Sequence, residues 1–456
     1  MKRKLKPGLL WMLFLFFTLL GCGQTIPKQD TSFKWDMAKG TKLYVHLDQH
    51  PYSKAIIQKL DDFEAKTGIK VYYTLTPEEY YVDKTINLLN SRTGKPDVFM
   101  SGPYYIWDLA SKGLVKNLDD YMNHPDLLDP EYNIGDILPV VLNSMKWDLK
   151  PGSSVGSGPL WGLPLGFEVS SLTYNKNVFA KLNLQPPGTL DQLLNACPQL
   201  NGFNGGASYA MSLRGSNKWT TLTSSYITTF SNYGAKDFKV VNGKLVSDLN
   251  SKEAIAATKM WVELINKCTP PNWTSSPWYR AGADFGSGKT AILFDADNNA
   301  FFQNTEGTSS EAQNIAWSEA PHVNDQTGDY TNLWTWGLSI NNSSTNPIAS
   351  WLFLQYFTSE QFLMWGALEA NVVDPARQSI LNSPKFHHSV RNSDGYLDTL
   401  QKGLNKASVL FTPQPKFFET STQWAITLQD IVLGKYKTVE EAMEKLKMKI
   451  DAMEIK

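Results

Sequence analysis

The chain lacks an excess of charge of either sign. Its 456 residues carry 43 Lys and Arg against 44 Asp and Glu, a formal net charge of −1. A protein with this balance has no electrostatic field that recruits nucleic acid or a polyanionic surface. Beyond residue 20 the sequence also lacks any apolar run near the roughly 20 residues that cross a bilayer as a helix. We therefore expect no nucleic-acid partner and no membrane-embedded domain.

Internal repeats, low-complexity blocks and the short motifs of common catalysts are also missing. The sequence has no Gly-x-Ser-x-Gly elbow and no His-Glu-x-x-His pair. Its 6 His are scattered, apart from His387 and His388, and its 3 Cys show no metal-ligand spacing. The sequence therefore predicts neither a metal site nor a bound cofactor.

The first 22 residues have the features of a secretory signal. A basic start, MKRKLKPG, precedes an apolar stretch, Leu9 to Leu20. Leu19-Leu20-Gly21-Cys22 then resembles a bacterial lipobox, in which Cys22 becomes the palmitate-bearing N-terminus of a lipoprotein. The alternative is a plain cleaved signal with a chance cysteine at its end. We expect a lipoprotein signal peptide over residues 1–22, a flexible tether over 23–41 and a lipid-anchored body on the extracytoplasmic face of the cell membrane.

The other two cysteines, Cys197 and Cys268, form an even pair in a protein that we expect to be exported. Disulfides persist outside the cytoplasm. Each cysteine stands near the end of a predicted helix, in NACPQL and INKCTPP. A disulfide between them and two separate buried thiols both remain open.

The periodicity of apolar residues changes along the chain between two and about 3.6. Alternation over Lys42–His46 and Ile69–Tyr73 predicts strands, whereas apolar residues at helical spacing predict a helix over residues 53–66 that stops at Gly68. Residues 251–268 predict a long amphipathic helix. Strands that alternate with helices indicate βαβ units, an α/β fold and a mainly parallel sheet.

Six segments, taken in order, resemble those of one family. The segments are FEAKTGIKV (63–71), KPDV (95–98), LASKGLV (109–115), PLGFEVSSLTYNK (164–176), GKTAILFD (288–295) and WTWGLSI (334–340). Behind a lipobox, this series resembles the extracellular solute-binding proteins of carbohydrate ABC importers, the family that includes maltose-binding and polyol-binding proteins.

The resemblance implies a two-lobe, periplasmic-binding-protein-like fold whose hinge the chain crosses three times, near residues 166, 291 and 337. Residues 42–165 with 291–336 would form the N-terminal lobe, and 166–290 with 337–456 the C-terminal lobe. Such a protein captures a carbohydrate between its lobes and delivers it to the permease subunits of an ABC transporter. The ligand could be an oligosaccharide, a monosaccharide or a polyol. The family catalyses no reaction, and we expect a monomer.

A sugar presents apolar ring faces and a rim of hydroxyls, which suit aromatic faces and polar side chains respectively. Trp334 and Trp336 stand two apart on a predicted strand and therefore share a face. The resemblance implies a stacking aromatic there and implies that Glu168, at the first crossing, reaches the ligand. Asp295 ends a buried strand at the second crossing, either as a ligand contact or as a structural partner.

Further candidates come from the resemblance and from the ends of strands. Tyr104 follows the third strand, where relatives place a binding residue. The segment SLRG (212–215) resembles one in polyol-binding relatives and puts Arg214 in the cleft, although the following residues, SNKW, depart from that pattern. The remaining candidates are Asp48, His50, Trp219 and Trp278.

The alternative function is an exported carbohydrate-active hydrolase. Asp295 and Asp297 alternate on one segment and could form the two carboxylates of a glycosidase. Because a spacing of two is common among acidic residues, the ordered family segments favour the binding protein.

Overall fold

The structure, a computed structural model, describes residues 32–323 and 329–455. Its strands are β1 (Lys42–Asp48), β2 (Lys70–Thr76), β3 (Val98–Ser101), β4 (Leu163–Asn175), β5 (Tyr209–Ser212), β6 (Phe238–Val241), β7 (Lys244–Ser247), β8 (Thr290–Ala296), β9 (Ile315–Glu319), β10 (Thr331–Ile340) and β11 (Ala407–Ser408).

The α-helices are α1 (Pro51–Gln58), α2 (Leu60–Thr67), α3 (Glu78–Asn90), α4 (Pro103–Ala110), α5 (Asp119–Met122), α6 (Pro139–Ser144), α7 (Lys176–Leu182), α8 (Leu190–Leu200), α9 (Ser225–Asn232), α10 (Lys252–Cys268), α11 (Trp278–Gly286), α12 (Asp297–Asn304), α13 (Pro347–Phe357), α14 (Glu360–Glu369), α15 (Gln378–Leu381), α16 (Pro384–Ser389), α17 (Tyr396–Lys406), α18 (Phe417–Val432) and α19 (Val439–Asp451).

Local sequence signals account for several helix boundaries. The Thr189 side chain accepts a hydrogen bond from the N–H of Gln192, whose own side chain caps the start of α8 in return. Helix α2 ends at Gly68, which adopts a φ of 69° that glycine tolerates without a Cβ clash. The helix predicted over residues 53–66 is two helices, because the backbone leaves the helical conformation at Lys59.

One 9-stranded sheet runs through the molecule in the order β2-β1-β3-β10-β4-β8-β5, with β9 added to β4 and β11 to β10. Strand β1 is parallel to β2 and β3, and β5 is parallel to β8. In the centre, β10 and β4 are antiparallel to each other and to their outer neighbours β3 and β8. The predicted α/β class is confirmed. The sheet is not mainly parallel as predicted, because the pairs that β10 and β4 form with each other and with β3, β8 and β9 are antiparallel.

Strand β4 joins the two halves of this sheet. Its first part pairs with β10 in a register that sets Glu168 opposite Trp334 and Gly166 opposite Trp336. Its second part pairs with β8 and β9, which sets Ser171 opposite Asp295. The register therefore brings together residues predicted near the hinge crossings, namely Glu168, Asp295, Trp334 and Trp336.

The division of the chain into lobes remains a proposal, and two contacts bear on its boundaries. The pairing of β8 with β5 favours placing residues 291–296 with the second lobe rather than with 42–165. Phe63 of α2 packs against Phe353 and Phe357 of α13, which favours placing α13 with the first lobe rather than with 166–290.

Residues 1–31, with the predicted signal and Cys22, lie outside the described residues. Residues 32–41, predicted as the end of a flexible tether, pack on the body. The Trp35 ring meets Tyr356 edge-on, with 6.0 Å between ring centroids, and Lys66 Nζ lies 4.2 Å from the Trp35 centroid. These aromatic contacts attach the segment to the surface near α2 and α13.

Cys197 and Cys268 form a disulfide, which decides between the two alternatives left open by the sequence. The bond joins α8 to the end of α10 across a sequence separation of 71 residues. Both residues are fully buried. The crosslink therefore ties together two helices that are distant in the chain.

Replacing both cysteines with alanine should lower the free energy of unfolding by about 2–4 kcal/mol, because the crosslink restricts the unfolded chain. Urea denaturation of the double variant and the wild type measures the difference. As a control, a reducing agent should destabilise the wild type and leave the double variant unchanged. Equal stability of the wild type and the double variant in the absence of a reducing agent would contradict this prediction.

Candidate functional site

The predicted site residues converge where β4, β8 and β10 meet. A small cavity of about 20 Å³ lies there, and we call it the inner chamber. Seven of the ten predicted site residues line it. The complete lining consists of His50, Glu78, Glu168, Arg214, Trp219, Thr220, Thr223, Ser224, Trp278, Asn298, Asn332, Trp334 and Trp336.

Arg214 is the positive charge of the inner chamber. Its Nε donates to both carboxylate oxygens of Asp295, at 2.8 and 2.9 Å, and its Nη2 lies 2.6 Å from Oδ1 of the same residue. Its Nη1 donates to Thr223 Oγ1 at 2.9 Å. The Asp295 side chain is fully buried and does not line the chamber, so in this geometry it orients Arg214.

Glu168 connects the charged and aromatic parts of the chamber. Its Oε1 accepts a hydrogen bond from Trp336 Nε1 at 2.9 Å, and its Oε2 lies 3.8 Å from Arg214 Nη2. Burial raises the pKa of Glu168, and the positive charge of Arg214 opposes this rise. A carboxylate held in this way can accept hydrogen bonds from a ligand.

Trp334 and Trp336 both line the inner chamber, with exposed fractions of 5% and 3%. Their rings are nearly perpendicular, with 5.0 Å between centroids. Tyr104 lies behind Trp334 and outside the lining, where it stacks on Phe417 at 4.2 Å. The aromatic wall is therefore two layers deep, and Tyr104 belongs to the outer layer.

His50 and Asp48 follow the first strand and have different positions. The His50 ring lines the chamber, 5.1 Å from the Trp336 centroid. Burial, together with Arg214, lowers the pKa of His50 to about 3, so the ring is neutral at pH 7. Asp48 lies outside the lining, where burial and the neighbouring Glu78 raise the pKa of its carboxyl.

Sequence reasoning missed six lining residues, namely Glu78, Thr220, Thr223, Ser224, Asn298 and Asn332. Asn332 stands two residues before Trp334 on β10, so strand alternation could have found it. In the described part of the chain, Nδ2 of Asn298 and Nδ2 of Asn332 have no hydrogen-bond partner of good geometry. Both amides can therefore donate to a ligand.

Buried carboxyl groups also lie behind the chamber. Asp297 Oδ1 accepts the N–H of Val169 at 3.0 Å, and the Tyr396 hydroxyl donates to Asp374. Burial, reinforced by Glu168, raises the pKa of Asp297 to about 8, and burial with Asp297 raises the pKa of Asp374. Asp295 and Asp297 thus point to different partners and do not form a pair that flanks a substrate.

The raised pKa of Asp297 predicts a pH-dependent stability. An ordinary Asp has a pKa near 3.9. Because folded Asp297 keeps its proton up to about pH 8, the folded state binds more protons than the unfolded state between these values, and stability falls as pH rises from about 4 to about 8.

Replacing Asp297 with Asn should make this slope shallower, since the amide does not titrate. Denaturation midpoints between pH 4 and pH 9 measure the slope for each protein. The control is Asp398→Asn, at a carboxylate that is 70% exposed and pairs with Lys402. Identical slopes for wild type and Asp297→Asn would contradict the prediction.

In the described ranges, no helix is long and apolar enough to cross a membrane, and no group of three or more His, Cys, Asp or Glu side chains could hold a metal ion. The inner chamber instead combines hydrogen-bond donors, a carboxylate and aromatic faces. This set suits reversible binding of a polar organic solute.

Comparison with known families agrees with this interpretation. Residues 48–362 match the family model described as bacterial extracellular solute-binding protein, which covers more than half of the chain. The chain belongs to this family. It is a solute-binding protein and not an enzyme, so the hydrolase alternative is wrong.

Two relatives are similar to this chain over most of its length. The chain is 33% identical over 405 residues to the erythritol/L-threitol-binding protein of Mycolicibacterium smegmatis, a match that spans 88% of this chain and 84% of the relative. It is 25% identical over 337 residues to the mannitol-binding protein of Pseudomonas aeruginosa, across 73% and 70% of the two chains.

Solved structures share the fold. A solute-binding protein from Agrobacterium radiobacter in complex with ribitol superposes with a TM-score of 0.78 at 17% identity, covering 90% of this chain and 98% of the other. One from Agrobacterium vitis with bound D-mannitol gives a TM-score of 0.77 at 21% identity, covering 91% and 98%. The predicted periplasmic-binding-protein-like fold is confirmed.

Proposed function

We propose that this protein captures a polyol or a small sugar in the inner chamber and delivers it to an ABC permease. The observation that carries the proposal is the chamber itself. Arg214 and the amides of Asn298 and Asn332 can donate to hydroxyl oxygens, while Glu168 can accept hydroxyl protons. The Trp336 ring can pack on the C–H face of the carbon chain.

The relatives favour a polyol over a small sugar as the solute. The names of the two relatives described above refer to linear polyols, and the erythritol/L-threitol-binding protein matches over most of its length. In this structure the inner chamber, at about 20 Å³, is too small to hold a polyol, so the lobes would have to open before a solute enters. Closure of both lobes on the solute would be the signal that the permease subunits read.

A ligand screen tests this proposal. We expect erythritol, L-threitol, ribitol or mannitol to raise the melting temperature of the purified protein, and amino acids to have no effect. At about 100 times its dissociation constant, a ligand stabilises the folded state by about 2.7 kcal/mol, which amounts to a few degrees. The absence of a shift with every polyol and sugar would refute the proposal.

We further propose that Cys22 carries a lipid that holds the protein on the outer face of the cell membrane. The supporting pattern is the lipobox Leu19-Leu20-Gly21-Cys22 behind a basic and apolar leader. Replacing Cys22 with Ser should move the protein from the membrane fraction to the soluble extracytoplasmic fraction and leave ligand affinity unchanged. A variant that stays in the membrane fraction would show that the lipobox assignment is wrong.

A further inference from the structure

The inner chamber is closed to a polyol in this conformation. Its volume of about 20 Å³ is enough for about one water molecule, and erythritol is several times larger than water. A second cavity of about 1190 Å³ lies beside it, and we call this cavity the outer groove. A polyol can therefore reach Arg214 and Glu168 only after the elements around the inner chamber move apart.

Helices α3 and α11 are attached to opposite halves of the central sheet. The Tyr81 hydroxyl of α3 lies 3.1 and 2.8 Å from the carbonyl oxygens of His46 on β1 and Met100 on β3. Helix α11 packs against β8 and β5, and the side-chain amide of Asn299 on α12 donates to the carbonyl oxygen of Trp278 at 3.0 Å. Each helix therefore moves with its own half of the sheet when the hinge opens.

Two side-chain hydrogen bonds join these helices, and we call them the latch. The Trp278 indole N–H donates to the Glu78 carboxylate, and the Tyr279 hydroxyl donates to the Glu79 carboxylate. These residues are the first two of each helix, and the partners of each bond are 200 residues apart in the chain. Burial, together with the hydrogen bond to Glu79, raises the pKa of Tyr279 to about 12, so its hydroxyl keeps the proton that it donates.

We infer that the latch holds the protein in a self-closed conformation that excludes the solute, which binds only after the latch opens. This inference rests on the proposed function. Glu78 and Trp278 line the inner chamber from opposite halves of the sheet, whereas Glu79 and Tyr279 border the outer groove. Widening the chamber to the size of a polyol moves α3 away from α11 and breaks both hydrogen bonds.

The latch is suited to opening because it is polar and partly exposed. Tyr279 is 44% exposed, so water can replace its hydrogen bond when the helices separate. The contact between α4 and α18 is different, since Tyr104 stacks on Phe417 at 4.2 Å and both rings are buried. Separating these rings would expose apolar surface.

The latch lowers the apparent affinity for a solute by the fraction of molecules that it keeps closed. Loss of one partly exposed hydrogen bond should shift the equilibrium toward the open conformation by about 3- to 10-fold. Weakening the latch should therefore strengthen solute binding by the same factor, as long as most wild-type molecules are self-closed.

Stopped-flow kinetics and calorimetric titration with erythritol and mannitol test the inference. Tyr279→Phe and Glu79→Ala both break the outer hydrogen bond of the latch, at residues that do not line the inner chamber. We expect each variant to raise the association rate and the affinity for both polyols by about 3- to 10-fold, with an unchanged dissociation rate. The double variant should match the single variants, because both substitutions break the same hydrogen bond.

Small-angle X-ray scattering in the absence of any solute measures the conformation itself. We expect a larger radius of gyration for Tyr279→Phe and Glu79→Ala than for the wild type. The control is Lys259→Met, which removes an exposed ion pair with Glu440 between α10 and α19, two helices that pack together on the β5 side of the sheet. This variant should keep the radius of gyration and the association rates of the wild type.

Two results would overturn the inference. One is polyol association that is unchanged or slower in both latch variants, which would show that the latch does not compete with the solute. The other is a radius of gyration that is the same in the wild type and in both variants. If the wild type binds no polyol or sugar, the proposed function fails, and the scattering comparison still decides whether the latch holds the protein closed.

Discussion

Replacing Arg214 with Met should abolish measurable solute binding and destabilise the protein by about 3–5 kcal/mol, because the substitution leaves a buried carboxylate without its partner. The Asp295 side chain is fully buried, and all of its ion-pair contacts within the described residues are with Arg214. Arg214 also provides the positive charge of the inner chamber. Urea denaturation and calorimetric titration with a polyol measure the two effects separately.

A second substitution separates stability from binding. The double variant combines Arg214→Met with Asp295→Asn. Because it removes the unpaired charge, we expect it to regain most of the lost stability. Binding should stay absent, because the guanidinium that donates to the solute is still missing. If the double variant regains affinity, Arg214 acts only through the packing of the fold. If Arg214→Lys binds as tightly as wild type, the bidentate geometry has no role.

Replacing Trp336 with Ala should weaken polyol binding by about 2 kcal/mol and lower stability by about 3–5 kcal/mol. The indole lines the inner chamber, and its N–H donates to Glu168 at 2.9 Å. Its removal takes away an apolar face and releases the carboxylate at the same time. Affinity comes from calorimetry below the melting temperature of the variant.

The control for Trp336 is a tryptophan of the same burial away from the site. Trp261 lies on α10 with an exposed fraction of 1%, and its neighbours are Tyr226 and Phe294. Trp261→Ala should lower stability by a similar amount with unchanged affinity. The affinity of Trp336→Phe, which keeps a ring but loses the N–H, should lie between that of the wild type and that of Trp336→Ala. Equal affinities of Trp336→Ala and wild type would assign Trp336 to the core alone.

Much of the fold could be predicted from the sequence, because the signals that set its strands and helices are local. The alternation in β1 and β2, the glycine stop at Gly68 and the capping residues of α8 each act within a few residues. The ordered family segments supplied the topology that these signals alone leave open. The break between α1 and α2 has no such signal.

The site was only partly predictable, because its decisive contacts join residues distant in the chain. Trp334 and Trp336 could be found because strand alternation puts them on one face, and Glu168 could be found because its segment resembles that of the family. The pairing of Arg214 with Asp295, 81 residues apart, and of Glu78 with Trp278, 200 residues apart, requires the folded structure. The disulfide was undecided for the same reason.

The measurement that tests the central claim most directly is a calorimetric titration of the purified protein with erythritol, repeated with Glu168→Gln. We expect saturable binding of one erythritol per chain to the wild type, with no change in the ligand after recovery. Glu168→Gln should bind at least about tenfold more weakly, because it loses a charged acceptor. Wild-type and Glu168→Gln titrations that coincide, or no heat with erythritol or any other polyol, would contradict a polyol site in the inner chamber.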